Sequence, residues 1–187
     1  MGTKAPMQDR GRRSFRRLPE PFRPWRGSSL MPDRSHMRRA LELARRNVAD
    51  GGWPFSAVIV RDGAVVSEGV NTVQKTLDPS NHAEMTAIRA ATTSLETLDL
   101  SGCEMYVVGL PCPMCMTCIL VSKIDRVIFA VDAAAKDKAL TALPSTSELY
   151  HILGRDFSEM GPDFIHLNEF SDAGVGVFEE WNDKTRK

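Results

Sequence analysis

Four residues in two short motifs have the types and spacing for metal-assisted hydrolysis. His82-Ala83-Glu84 is followed, 30 positions after the histidine, by Cys112 in the run Pro111-Cys112-Pro113-Met114-Cys115. Cys112 and Cys115 stand i and i+3 at the start of an expected helix, so both thiols fall on one face. The positive end of the helix dipole favours their thiolate forms. His82, opening the preceding expected helix, supplies a neutral imidazole. Two thiolates and one imidazole leave the fourth tetrahedral position open, as in a catalytic zinc site; a structural site is closed by a fourth protein ligand. The expected cofactor is one zinc ion per subunit with a bound water or hydroxide, the metal lowering the pKa of that water toward roughly 7. Glu84 is expected to stay off the metal and to move protons.

Each part alone has a plainer reading. A single histidine is more often a core or surface residue, and a single Cys-x-x-Cys is often redox-active or structural. Cys118 is i+3 from Cys115 and offers a rival, closed Cys3His site. Because it sits a full turn deeper, it is expected to face the core as a small hydrophobe. Cys103 precedes a strand and is read as structural.

The elements that must position these residues follow from period and punctuation. Asp33 or Ser35 can cap a helix over His36–Ala49, with Met37, Leu41, Ala44 and Val48 on one face, stopped by Asp50-Gly51-Gly52. Pro54–Val60 and Ala64–Gly69 read as strands joined at Asp62-Gly63. A loop spans Asn71–Asn81, and a helix covers His82–Ser94. Glu104–Gly109 is a buried strand, Pro111–Ser122 a helix opened by proline, and Ile124–Val131 another strand. Ala133–Leu153 is read as helical with a break near Pro144, Phe164–Leu167 as a last short strand, and Phe178–Trp181 as a helical turn. A hairpin followed by alternating helix and strand implies an α/β protein, a three-layer α/β/α sandwich around a mixed five-stranded sheet. Residues 1–32, rich in Arg and Pro, are expected to be a disordered basic extension, and 33–187 one domain with a C-terminal aromatic lid segment near 178–181.

Bulk properties narrow the partners. The chain has 187 residues, 42% hydrophobic and 26% charged, with zero formal net charge. That charge is uneven: residues 1–36 hold nine basic against three acidic side chains, and the rest hold 15 basic against 21 acidic. An acidic body is a poor match for a phosphate backbone, so nucleic acid is not the expected partner. No apolar run approaches the roughly 20 residues of a membrane span. Three cysteines within seven residues suit a reduced compartment, and a cytoplasmic location is expected.

On the residues His82, Glu84, Pro111, Cys112 and Cys115, the sequence resembles the zinc-dependent cytidine/deoxycytidylate deaminase superfamily. Within it, bacterial guanine deaminases are most similar, over roughly residues 37–187. The likeness extends to Trp53-Pro54-Phe55, Glu68-Gly69-Val70-Asn71, Asp78-Pro79, Asn81 through Arg89, and Phe178-x-x-Trp181. It implies hydrolytic removal of the exocyclic amine of a free nucleobase or similar heterocycle, a guanine-like purine first. Cytosine, a pterin or a triazine is the alternative; adenosine in transfer RNA and an inactive zinc scaffold are others. The resemblance implies that Glu84 is the catalytic proton carrier and that Asn71, the backbone of Ala83, Phe55 and Trp181 contact the substrate. In relatives the C-terminal aromatics often come from the partner of a swapped dimer, so a homodimer is expected. Two places depart from the pattern. Leu110 stands where many purine-acting relatives have Glu. Ala133-Ala134-Ala135 stands where guanine deaminases carry an acid for the guanine amine edge, with Asp132 and Asp137 as the nearby acids.

Overall fold

A computed structural model describes residues 31–153 and 163–185. The expected unstructured segment 1–32 therefore lies, except for Met31 and Pro32, outside the described residues. The order of elements is α1 (Arg34–Ala49), β1 (Ser56–Arg61), β2 (Ala64–Val70), α2 (Val73–Thr76), α3 (Ala83–Ser94), β3 (Cys103–Gly109), α4 (Pro113–Val121), β4 (Arg126–Val131), α5 (Ala133–Ala139), α6 (Thr146–Leu153), β5 (Asp163–His166) and α7 (Ser171–Thr185). One sheet runs β2-β1-β3-β4-β5. β1 is antiparallel to both β2 and β3, and β3, β4 and β5 are parallel. This is the mixed five-stranded sheet that the alternation of elements implies.

The three layers follow from the two-residue period of the strands. Ala57, Ile59, Met105, Val107, Val127 and Phe129 point to the side that carries α3 and α4. Val58, Val60, Tyr106, Val108, Ile128 and Ala130 point to the side that carries α1 and α7. The hairpin between β1 and β2 turns at Asp62 and Gly63, both with positive φ, 51° and 77°, the pattern of a two-residue type I′ connection. Among the described residues, no helix is long and apolar enough to cross a membrane.

Of the differences from the sequence reading, three have a clear physical reason. α4 starts at Pro113, not Pro111, and Cys112 is its N-cap with φ −74° and ψ 166°. A residue before proline is pushed out of the helical region, and proline itself fits the first helical position. The terminal helix is 15 residues long rather than one turn. Gly174 and Gly176 weaken its intrinsic propensity, but tertiary contact outweighs that: a Cβ on Gly174 would collide with Val131 Cγ2, so the glycine lets α7 approach β4. The span 71–81 contains the short helix α2, which has no buried residue and so left no apolar stripe to recognise.

β2 and α3 touch backbone to backbone at Gly69. A Cβ there would meet Ala83 O and lie 2.6 Å from Ala87 N. Ser67 Oγ adds a hydrogen bond to Ala87 O at 2.8 Å. Since α3 opens at His82, this contact fixes the height of the first motif against the sheet. Gly69→Ala is expected to lower stability by about 1–3 kcal/mol through overpacking, measured by urea unfolding. A change below a few tenths of that would show that β2 does not hold α3 in place.

Candidate metal centre and adjoining cavity

The two motifs become one site because two helix starts converge. His82 is the N-cap of α3, with extended backbone at φ −67° and ψ 158°, and its carbonyl accepts from Thr86 N at 2.9 Å and Thr86 Oγ1 at 3.0 Å. Cys112 leaves β3 as the N-cap of α4, and Cys115 sits in the first turn. His82 Nδ1 lies 3.6 Å from Cys112 Sγ and 3.6 Å from Cys115 Sγ, and the two sulfurs are 3.7 Å apart.

Those edges test the fit of a metal. Tetrahedral coordination with bonds of about 2.0–2.1 Å to nitrogen and 2.3 Å to sulfur requires N···S edges of about 3.6 Å and an S···S edge of about 3.8 Å. The observed triangle is one face of that tetrahedron. The Cys115 thiol, hydrogen-bonded to Cys112, draws the latter down to about 4, against the effect of burial and with help from His82. Cys115 is raised by the same bond and by burial. Among the described residues, His82, Cys112 and Cys115 are also the group whose ligand atoms cluster at metal-binding spacing, all within 4.8 Å of one another. Cys118 is outside that cluster and packs, partly buried, against the α3–α4 side of the core, as expected for it.

Beside the triangle is a cavity of about 390 Å3 whose walls include Phe55, Asn71, His82, Glu84, Cys112 and Lys136. It opens at the carboxyl ends of β2 and β3, the usual position for a ligand in an open α/β sheet. Glu84 is 8% exposed, and burial, then the nearby Cys112, raises its pKa. Asn71 is 2% exposed. Its N–H donates to Phe55 O at 3.1 Å, its Oδ1 accepts from Val73 N at 3.1 Å, and its carbonyl accepts from Asn47 Nδ2 at 2.9 Å. Its backbone and Oδ1 are thus committed, and its Nδ2 has no protein partner among the described residues. Phe55 lies 5.7 Å from Phe178, centroid to centroid, and Phe178 backs the wall rather than covering the cavity.

The remaining expected contacts are placed differently. Ala83 is the first residue of α3, fully buried, and is not part of the cavity lining. Trp181, 5% exposed, belongs to the core between α1, α7 and the sheet, and this chain does not bring it to the cavity. Asp132 caps α5, its Oδ1 accepting from Ala135 N at 2.8 Å. Asp137 lines the cavity, yet its carboxylate accepts from Ser145 Oγ (2.8 Å), Thr146 N (2.8 Å) and Ser147 N (3.0 Å). Burial would raise its pKa, and those bonds more than offset this, so it is lowered. Both acids thus hold helix starts.

Lys136 is the wall residue that sequence reasoning missed. In Ala-Ala-Ala-Lys-Asp-Lys-Ala a lysine looks solvated, but this one is 6% exposed. The available signal was Asp132 as an N-cap, which would have set the register of α5 and placed Lys136 one turn in, its N–H bonded to Asp132 O at 3.0 Å.

Residues 31–131 match a family model described as cytidine and deoxycytidylate deaminase zinc-binding region. The chain is 42% identical over 103 residues to guanine deaminase of Bacillus subtilis, covering 54% of this chain and 66% of that protein. It is 42% identical over 94 residues to tRNA-specific adenosine deaminase of Aquifex aeolicus, covering 50% of this chain and 62% of that one. The chain therefore spans less than two thirds of the length of these two relatives. An X-ray structure of guanine deaminase from Bacillus subtilis matches with TM-score 0.61 and 35% identity, over 82% of this chain and 95% of that one.

Proposed function

The chain belongs to the cytidine and deoxycytidylate deaminase zinc-binding family, and on that premise we propose that it is a zinc-dependent hydrolytic deaminase of a free aminated heterocycle of nucleobase size, a guanine-like purine first. The observation that carries this reading is the tetrahedral-face spacing of His82, Cys112 and Cys115 next to a buried carboxylate, Glu84, on the wall of one cavity. When bound, zinc supplies an acidified water, and hence a nucleophile at neutral pH. Glu84, off the ligand triangle, takes the proton released and returns protons to the ring nitrogen and to the departing ammonia. Burial raises its pKa, which favours a group that must be a base in one step and an acid in the next.

The other roles are held by groups that do not react. Asn71 offers Nδ2 to a ring acceptor. Phe55 presents an aromatic surface for a ring. A cavity of about 390 Å3 suits a small heterocycle, and the acidic balance of residues 37–187 suits it better than a polynucleotide. A homodimer in the cytoplasm completes the proposal. A second reading, adenosine within transfer RNA, draws on the similarity to the Aquifex aeolicus protein.

The test is ammonia release by zinc-loaded protein across guanine, cytosine, adenine, their nucleosides, pterins, aminotriazines and transfer RNA. Release from a free base is the expected result. Release from transfer RNA alone would favour the second reading, and silence across the panel from folded, zinc-loaded protein would overturn both.

A further inference from the structure

Lys136 is a charged residue of the cavity that the hydrolytic chemistry does not use. Its stem lies against the end of β3: a Cβ on Gly109 would come 3.1 Å from Lys136 Cδ, so the bare glycine leaves room for it. Its Nζ donates to Leu110 O at 3.0 Å and sits 5.9 Å from the centre of the Phe55 ring. No carboxylate among the described residues forms an ion pair with it. An ammonium carries three donors and accepts nothing. Buried with one protein acceptor, it is costly unless something else matches the remaining donors.

The acids nearest in sequence do not match them, because the Asp132 carboxylate caps α5 and that of Asp137 holds the start of α6. This wall therefore offers hydrogen-bond donors and repels a ligand amine. The lining carboxylates do not take the place of a ligand acceptor: Glu84 forms no ion pair with Lys136 among the described residues, and Asp137 is held by three hydrogen bonds at the start of α6. A ring presenting an oxygen to Lys136 matches one of its remaining donors, and a ring presenting another amine does not.

We propose that Lys136 is a specificity-determining residue: its ammonium donates to a carbonyl-type oxygen on the ring, selecting aminated heterocycles that carry an oxo group over those with hydrogen or a second amine at that place. This rests on the deaminase reading for the identity of the ring, and the experiment separates the two. Two series keep the amine constant and vary the other substituent: guanine, 2-aminopurine and 2,6-diaminopurine; and cytosine, 4-aminopyrimidine and 2,4-diaminopyrimidine. Binding is measured by equilibrium dialysis on zinc-loaded Glu84→Ala protein, with and without Lys136→Met, after thermal melts show each variant folded. Ammonia release from the same six rings is measured with the unaltered protein.

In at least one series the oxo ring is expected to bind about tenfold or more tightly than its amino partner, the worth of one charge-assisted hydrogen bond. Lys136→Met should reduce that ratio to within about threefold. Lys136→Gln, which keeps a neutral donor, should retain part of the preference. A lysine that merely holds the Leu110 carbonyl would lower the melting temperature when replaced and leave the ratio unchanged, which overturns the proposal. Turnover without an oxo preference overturns it too while the deaminase reading stands. Preference in binding with no ammonia from any of the six rings leaves the recognition intact, and silence across the wider substrate panel then sinks the deaminase reading. If none of the six rings binds, the proposal for Lys136 falls.

Discussion

Glu84→Gln is expected to reduce ammonia release by about 10²–10⁴-fold, the usual worth of a positioned acid–base group, with zinc content unchanged at one ion per chain. The substitution keeps size and shape and removes the ability to take and return a proton. Glu84 lies outside the group of His82, Cys112 and Cys115 that can hold the ion, so metal content has no reason to change. Stability carries a second, independent sign. Glu84 is 8% exposed, and a buried carboxylate is held at a desolvation cost that a neutral amide largely escapes. The melting temperature of the variant should therefore equal or exceed that of the parent, as is common where function stores an unfavourable group. Three readouts on one preparation decide the matter: steady-state ammonia, zinc by atomic absorption, and a thermal melt. Turnover within tenfold of the parent would remove Glu84 from the proton path. Loss of zinc would mean that it helps to hold the metal.

The ligand-spaced triangle and the place of Glu84 beside it were legible in the sequence because their parts are local. His82 and Glu84 are two residues apart, Cys112 and Cys115 three, and the geometry inside each motif is fixed by a helix start. Joining the motifs needed only β3 between them. The sheet was legible for a similar reason: alternate residues such as Val58 and Ile59 are sorted to opposite faces by a period of two. The pocket walls were not legible. Lys136 faces the cavity because Asp132 caps α5 and Gly109 clears the space, and Asp137 is withdrawn because α6 needs its carboxylate. These are consequences of packing between Gly109 and Lys136, far apart in sequence, and of backbone capping, which leave no periodic trace. Trp181 shows the opposite case. A resemblance suggested a substrate contact, yet the residue is buried with Val177 and Phe178 against the sheet, where an apolar stripe on a 15-residue helix would put it.

Removing the metal should abolish turnover and lower the melting temperature without unfolding the chain at room temperature. Zinc-finger peptides lose their fold with their zinc because nothing else holds it. Here the ligands are carried by α3 and α4, which pack on a sheet with two apolar clusters of their own, so the folded apoprotein should persist. The loss is then the linkage term: a site occupied at a thousandfold over its dissociation constant contributes about 4 kcal/mol. For a chain of this length that is a fall of roughly 8–16 °C. Dialysis against a chelator should produce this shift together with silence in the ammonia assay, and added zinc should restore both. Cys115→Ser should show the same low melting temperature and the same inactivity, and added zinc should restore neither, because a hydroxyl replaces a buried thiolate in a triangle whose edges fit sulfur. A chelated protein, shown to be metal-free, that still releases ammonia would end the zinc mechanism. A Cys115→Ser protein that regains full activity with zinc would show that two ligands suffice, and that the third edge of the triangle serves the fold rather than the metal.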